Sequence, residues 1–343
     1  MFKYLILIHP FVFLYGSAGG FLSPENLVGR SGSKFPPEAA TLAGLFFAAN
    51  KTKQFTTQEE LRYKLHLAGP FWAESDSPDD FYVPIPRTKI IADEDTDEWR
   101  IENKKWQRDE SKPKLEADYQ WQNINYWNDS ANEIRANNAV KKTPWKFVPI
   151  LHPRTKDEER VVRAEDGLFL ENAVQMDDDY CLVYLSSHQL PDGWYRFGGE
   201  NHLVEVTSVE IPQESFINEI LHQKIQKTFA LITPGIWGSN QLSFRYPKHP
   251  DFSIKRPMML TDRPIPYRYR LGERKIDEQG KHYQAGRMSR GRYAVPTGTV
   301  YVFKNPLNQP WCEWSEEWFP KEGFSLKQLG CNLCLPLNIE GVE

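Results

Sequence analysis

Cysteine is scarce in this sequence. There are four in 343 residues, at positions 181, 312, 331 and 334. That is too few to frame a chain of this length with disulfides, and it fits a reducing, cytoplasmic setting. Cys331-Asn332-Leu333-Cys334 has the spacing of half a zinc site, but no second CxxC or paired-histidine motif completes one. The alternative is two small buried side chains near a C-terminal strand or turn. No apolar run reaches the roughly 18 residues a membrane-spanning helix needs. Walker A and dinucleotide fingerprints are absent, so no cofactor is expected. The eight histidines are scattered at 9, 66, 152, 188, 202, 222, 249 and 282, without a pairing motif. Net charge is only −4, so any nucleic-acid surface has to be local.

What is present describes a globular chain: 40% apolar, 13% aromatic and 26% charged residues. The length suffices for two domains. The opening "MFKYLILIHPFVFLYGSAGG" admits two readings. One is a secretory signal, with Lys3, an apolar run and a small-residue exit. The other is a buried strand: at period two Phe2, Tyr4, Ile6 and Ile8 line one face and Leu5 and Leu7 the other, and His9-Pro10 ends it. The proline favours the strand.

"PPEAATLAGLFFAANKT" is the clearest amphipathic helix. Pro37 stands at its first position, Glu38 in its first turn, and Leu42, Leu45, Phe46 and Ala49 at i, i+3, i+4 and i+7. "LRYKLHLAGPFWA" alternates and is closed by Gly-Pro, and "DDFYVPIPRTKI" is extended. Residues 93–118 then hold ten acidic and six basic side chains with few aliphatics. The stretch of about 93–165 therefore reads as an insertion that projects from the core or is partly mobile, its Trp and Asn residues free either to stack on bases or to dock on their own protein. "YCLVYLSSHQL" is a strand, and a helix over 212–226 followed by "KTFALITPG" gives half of a ferredoxin-like split unit.

Between 263 and 292 nine Lys or Arg stand against three acidic residues, interleaved with Tyr267, Tyr269, Tyr283 and Tyr293. Guanidinium forks suit phosphates and aromatic faces suit unstacked bases, so single-stranded RNA is one reading. A solvated loop with structural ion pairs is the other. "RFGGENH", "PGIWGSN", "SRGRYAVPTG" and "LGCNLCLP" add glycine beside basic and aromatic residues, where the backbone could approach a ligand closely.

In this order the opening strand, "FPPEAATLAGLFFAA", "LAGPFWA" with "FYVPIPRTKI", "RFGGENH", "FALITPGIWG" and "SRGRYAVPTGTVYVF" resemble the RAMP proteins of CRISPR systems. Within them they are similar to the third-subunit family of the type III-B Cmr effector complex, of a cyanobacterial kind. The resemblance covers residues 1–90 and 190–343. It implies an α+β fold of two tandem ferredoxin-like (RRM-like) domains, 1–200 with the insertion and 201–343 with an Arg-rich loop at 262–292 and a Gly-rich C-terminal loop. It implies a non-catalytic subunit that holds the repeat-derived 5′ handle of the crRNA, meets target RNA near the handle, and contacts the large palm-domain subunit and the backbone RAMP subunits. A hairpin that interrupts the guide–target duplex would lie within 93–165. The family's Gly-x-Gly is Gly330-Cys331-Asn332 here, a turn asparagine can adopt.

On this reading Arg268, Arg270, Arg287, Arg290 and Arg292 contact handle phosphates, Trp237 or Tyr293 stacks on a base, Gly291 allows close approach, and Arg30 completes the groove. No catalytic residue and no metal is assigned. A RAMP-type metal-independent nuclease, which would need a histidine or similar base, and a secreted aromatic-rich binding module are the alternatives.

Overall fold

The computed structural model describes residues 1–14, 35–153, 161, 168–198, 202–252, 256–276 and 282–342. The first half runs β1 (Tyr4–Pro10), α1 (Ala39–Lys53), α2 (Gln58–Lys64), β2 (Leu67–Glu74), β3 (Tyr82–Pro84), β4 (Lys89–Ile91), β5 (Thr96–Glu98), β6 (Arg100–Glu102), β7 (Lys105–Gln107), β8 (Trp121–Asn123), α3 (Ala131–Ala136), β9 (Val140–Lys141), β10 (Trp145–Pro153), β11 (Leu168–Met176), β12 (Tyr180–Ser186) and β13 (Gly193–Phe197). The second runs β14 (His202–Glu210), α4 (Phe216–His222), β15 (Thr228–Leu231), β16 (Trp237–Gly238), β17 (Ser243–Phe244), β18 (Met258–Leu260), β19 (Ile265–Tyr267), β20 (Arg270–Ile276), β21 (His282–Met288), β22 (Arg292–Ala294), β23 (Val300–Val302), β24 (Lys321–Glu322), β25 (Phe324–Ser325) and β26 (Cys334–Pro336). The fold is mixed α and β and strand-rich. No helix among the described residues is long and apolar enough to cross a membrane.

Eight strands form one antiparallel sheet in the order β13-β14-β1-β12-β2-β3-β8-β9. β1 lies inside it, between β14 and β12, as its alternation on two apolar faces requires. Leu5 and Leu7 enter a core with Phe71, Val183, Phe229 and Leu335, while Ile6 and Ile8 pack with Leu42, Phe46, Tyr267 and Ala294. A second sheet, β18-β23-β15-β26, supplies Phe229, Tyr301 and Leu335 to the first core. Residue 200, the expected domain boundary, falls between the paired strands β13 and β14, so the large sheet runs on to Glu210. Both cores draw on residues from either side of it.

Local chemistry fixes the helices. α1 buries the expected Leu42, Leu45, Phe46 and Ala49, with Glu38 as its N-cap and Lys51 and Lys53 in the last turn, where cations suit the helix dipole. "LRYKLHLAGPFWA" does not form one strand. Thr57 caps α2 by accepting from the Glu60 N–H (3.0 Å), so Leu61–Lys64 are helical. Gly69-Pro70 then sits inside β2, where the register against β12 shifts between Val183 and Leu185. A bulge tolerates a residue that has no N–H to donate. α4 spans less than the 212–226 expected, because Ser215 caps it at Asn218 N–H (3.3 Å) and Gln223 is extended.

The described residues of 93–165 depart from a projecting insertion. β8 and β9 extend the large sheet, and Ile124 and Trp127 are buried in its core. Its polar aromatic residues find backbone acceptors on their own protein: Trp127 Nε1 donates to Pro336 O (2.7 Å) and Trp106 Nε1 to Met259 O (3.1 Å). Its charges pair with each other, as Lys112–Asp95 (2.7 Å) and Lys142–Asp93 (3.3 Å). Hairpins β4–β5, β6–β7 and β10–β11 each form a two-stranded sheet of their own, the last with Phe147, Leu151 and Leu168 exposed.

Burial holds the imidazoles of His9, His66 and His188 below the ordinary histidine value of 6.5. The unfolded chain therefore takes up these protons first as pH falls. The stability they contribute is complete above about 6.5 and is lost below it. The thermal midpoint is expected to fall between pH 7.5 and pH 5.5, above the carboxylate range. A flat or rising midpoint across that interval would contradict the assignment.

Candidate nucleic-acid interface

The described residues of the arginine-rich stretch 262–292 lie largely in strands. β19 pairs with β22 and β20 with β21, both antiparallel. The alternation of "PYRYR" explains why: at period two Tyr267 and Tyr269 go inward, and Pro266, Arg268 and Arg270 go outward. The inward tyrosines are structural. Tyr267 Oη lies 3.3 Å from Cys331 Sγ, and Tyr269 Oη donates to Glu322 O (2.9 Å). Burial pushes both phenols up, so they stay neutral.

The same alternation acts within β22, where Arg292 is buried and Tyr293 exposed; just before it Arg290 and Gly291 are both exposed. Tyr293 stands opposite Pro266, 56% exposed, and its N–H donates to Ser243 Oγ (3.2 Å). That bond fastens β22 to β17, bringing the exposed Leu242 and Arg245 alongside. Arg268 uses Nε on Ser289 O (2.9 Å), and Arg290 uses Nη1 on Asn240 O (3.2 Å). Each bond anchors one edge of a guanidinium and leaves further N–H groups on it as donors. One outward face thus carries Arg268, Arg270, Arg290, Gly291 and Tyr293. Forked cations around an aromatic ring can hold phosphates while a base stacks.

Two expected contacts lie inside. Trp237 is 1% exposed, with Phe252, Tyr301 and Trp314 rings 5.7–6.2 Å away, and its Nε1 donates to Tyr301 Oη (2.9 Å). No face is left for a base. Trp237→Ala is expected to cost about 3–5 kcal/mol of stability, read by denaturant unfolding, whereas Tyr293→Ala should stay within about 0.5 kcal/mol of the parent. Equal midpoints for the two variants would be inconsistent with these placements. Arg292 is 4% exposed, its Nη1 2.8 Å from Glu322 Oε2 and its Nη2 donating to Asn240 Oδ1 (2.9 Å), so it faces its own protein rather than solvent. Arg287 stands opposite Leu271 in the β20–β21 ladder, and Arg30 lies outside the described residues.

The C-terminal glycine-rich loop also turns inward. Gly330 has φ +68°, and a Cβ there would stand 2.4 Å from Leu67 O. Asn332 adopts φ 62°, as the turn requires, and is fully buried, with Nδ2 donating to Ile236 O (3.0 Å) and Oδ1 accepting from Ile236 N–H. Asn332 therefore offers no surface to a ligand. Cys331 and Cys334 are buried, and desolvation pushes the Cys334 thiol well up. No group of three or more His, Cys, Asp or Glu among the described residues could hold a metal ion. Of the histidines, His66 and His188 meet at Ser187, whose Oγ accepts from His66 N–H (2.8 Å), donates to Lys64 O (3.0 Å) and lies 2.8 Å from His188 Nδ1. This set closes the turn after β12.

The sequence reading missed Asn240, Leu242, Arg245 and Glu322. None falls in a periodic pattern with the arginines. The one available signal was "PGIWGSN", whose glycines permit the close return at Gly238 (φ 107°), where a Cβ would meet Leu242 O at 2.2 Å.

No protein-family model matches this chain, and no curated protein matches it by sequence. Chains of several solved structures align with most of this chain. A chain of the cryo-EM structure of the type III-B Cmr-beta complex bound to cognate target RNA and AMPPnP is 12% identical, covering 87% of this chain and 86% of its own, with a TM-score of 0.48. A chain of the Csm3-Csm4 subcomplex of the type III-A CRISPR-Cas interference complex is 10% identical, over 89% and 94%, with a TM-score of 0.38. A chain of the Csm1-Csm4 cassette in complex with pppApA is 10% identical, over 88% and 87%, at 0.32.

Proposed function

We propose that this chain is a non-catalytic, RNA-binding subunit of a cytoplasmic type III CRISPR effector, of the type III-B kind. On this reading it holds the repeat-derived 5′ handle of the crRNA and docks on the large palm-domain subunit and the backbone subunits. The observation that carries the proposal is the outward face of Arg268, Arg270, Arg290, Gly291 and Tyr293. It concentrates phosphate-binding forks and a stacking ring in a protein whose net charge is −4. The motifs in RAMP order add to it. The adjacency β14-β1-β12-β2, with α1 between β1 and β2, accords with a ferredoxin-like first unit. The β10–β11 hairpin takes the role of the element that meets target RNA near the handle.

A subunit also needs surfaces to dock. Beside the edge strand β13 an apolar patch is exposed: Phe11 and Trp194 rings 5.5 Å apart, 46% and 67% exposed, with Val12 and Leu203. Patches of this sort mark interaction sites. Purification of the protein from its host, followed by sequencing of the bound RNA, tests the function. RNAs sharing a repeat-derived 5′ end are expected; RNA without such enrichment would overturn the reading.

A further inference from the structure

Glu322 puts a carboxylate directly beneath the proposed RNA face, where charge alone predicts that it weakens binding to a polyanion. Its contacts explain its place. Oε1 accepts from the Arg290 backbone N–H (3.0 Å) and Oε2 from Arg292 Nη1 (2.8 Å). Arg292 reaches on to Asn240 Oδ1 (2.9 Å), Asn240 O accepts from Arg290 Nη1 (3.2 Å), and Asn240 Nδ2 donates to Lys321 O (2.8 Å). The Arg292 and Glu322 side chains are only 4% and 12% exposed. Three separate segments, around Asn240, Arg290–Arg292 and Lys321–Glu322, are thereby tied at one point.

We infer that Glu322 is a positioning residue for RNA binding: through the buried Arg292 and the exposed Asn240 it fixes the Arg290 backbone and guanidinium so that Arg290 and Tyr293 meet RNA together. This rests on the reading of that face as the RNA surface. A guanidinium held in place binds phosphate without first being ordered, and a bidentate carboxylate in a nearly dry site provides the hold.

The test measures binding of the full chain to a synthetic single-stranded handle RNA across a salt series, with the active fraction fixed by stoichiometric titration. Glu322→Gln removes the charge and keeps the shape. Affinity is expected to fall about tenfold, the scale of losing hydrogen bonds to a charged group, with the parent salt slope, because the phosphate contacts remain in number. Unchanged or tighter binding would overturn the inference, tighter binding being the result of a carboxylate that acts only by repulsion. Arg292→Met with Glu322→Leu replaces the buried pair by apolar groups, which proteins often tolerate without loss of stability. Weaker RNA binding by this folded variant is expected as well. If both variants unfold, the pair is a stability element and the inference falls. Arg290→Ala separates the two readings. If it weakens binding while Glu322→Gln does not, only the positioning role is wrong; if the parent shows no salt-dependent binding, both are.

Discussion

Removing Arg270 and Arg290 together is expected to lower affinity for single-stranded handle RNA about a hundredfold near 0.1 M salt, with little change in stability. Both side chains are exposed on the outward face, and a charge-assisted contact to phosphate is worth about 1.5–3 kcal/mol. Each phosphate contact contributes about −0.7 to the slope of log affinity against log salt for a single strand. The double alanine protein should therefore show a slope shallower by about 1.4. Tyr293→Ala should lose affinity without altering the slope, because stacking releases no counterions. Arg292→Ala should behave differently from all three. It strands the Glu322 carboxylate in a nearly closed site, at a cost of roughly 3–5 kcal/mol, and its main effect should appear in the unfolding midpoint. Unchanged affinity and slope in the Arg270/Arg290 variant would remove this face from consideration as an RNA surface.

The largest stability effect from a small change is expected at Gly330. Its φ of +68° disfavours any side chain, and an added methyl would stand 2.4 Å from Leu67 O and 2.5 Å from Ala68 Cα. Both obstacles are backbone of β2, a strand held on one side by β12. Neither can swing aside as a flexible side chain would. The same loop is bonded to the sheet from Gln328 O to Leu67 N–H (2.8 Å), and Leu326, Leu329 and Cys331 are buried in the second core. Left-handed strain of about 1–2 kcal/mol and overpacking of about 1–3 kcal/mol combine to roughly 3 kcal/mol or more for Gly330→Ala. Denaturant unfolding monitored by tryptophan fluorescence reads it directly. A midpoint matching the parent would mean that the loop does not pack on β2 as described.

Much of the frame was legible because local patterns decided it. β1 announced an interior strand by apolar residues at both parities, and α1 announced its buried stripe by spacing. "PYRYR" carried as clear a signal, alternating ring and guanidinium, but the local excess of positive charge suggested a loop. Period two would have sent Tyr267 and Tyr269 inward and Arg268 and Arg270 outward. Trp237 could not be placed from sequence, because its ring neighbours Phe252, Tyr301 and Trp314 come from three other segments. Composition also misled over 93–118. A count of charges cannot register that Trp106 reaches the carbonyl of Met259, as Trp127, further along, reaches that of Pro336. Glu322 was invisible for the same reason: its meaning lies in a juxtaposition with Asn240 and Arg292, not in a motif.

The placement of β1 has a kinetic consequence. Its partners are Tyr180–Ser186 on one side and His202–Glu210 on the other. β2, next across β12, donates the N–H of its first residue, Leu67, to Gln328 O. Such pairings give the chain a high contact order, and closing long loops before any contact rewards them slows folding. On the ribosome an apolar segment that belongs in the middle of a sheet must wait for most of the chain to be made. During that interval it presents unpaired edges on both sides, the condition under which strands aggregate. Yield from expression should therefore respond more to the rate of synthesis and to chaperone supply than to substitutions on the folded surface.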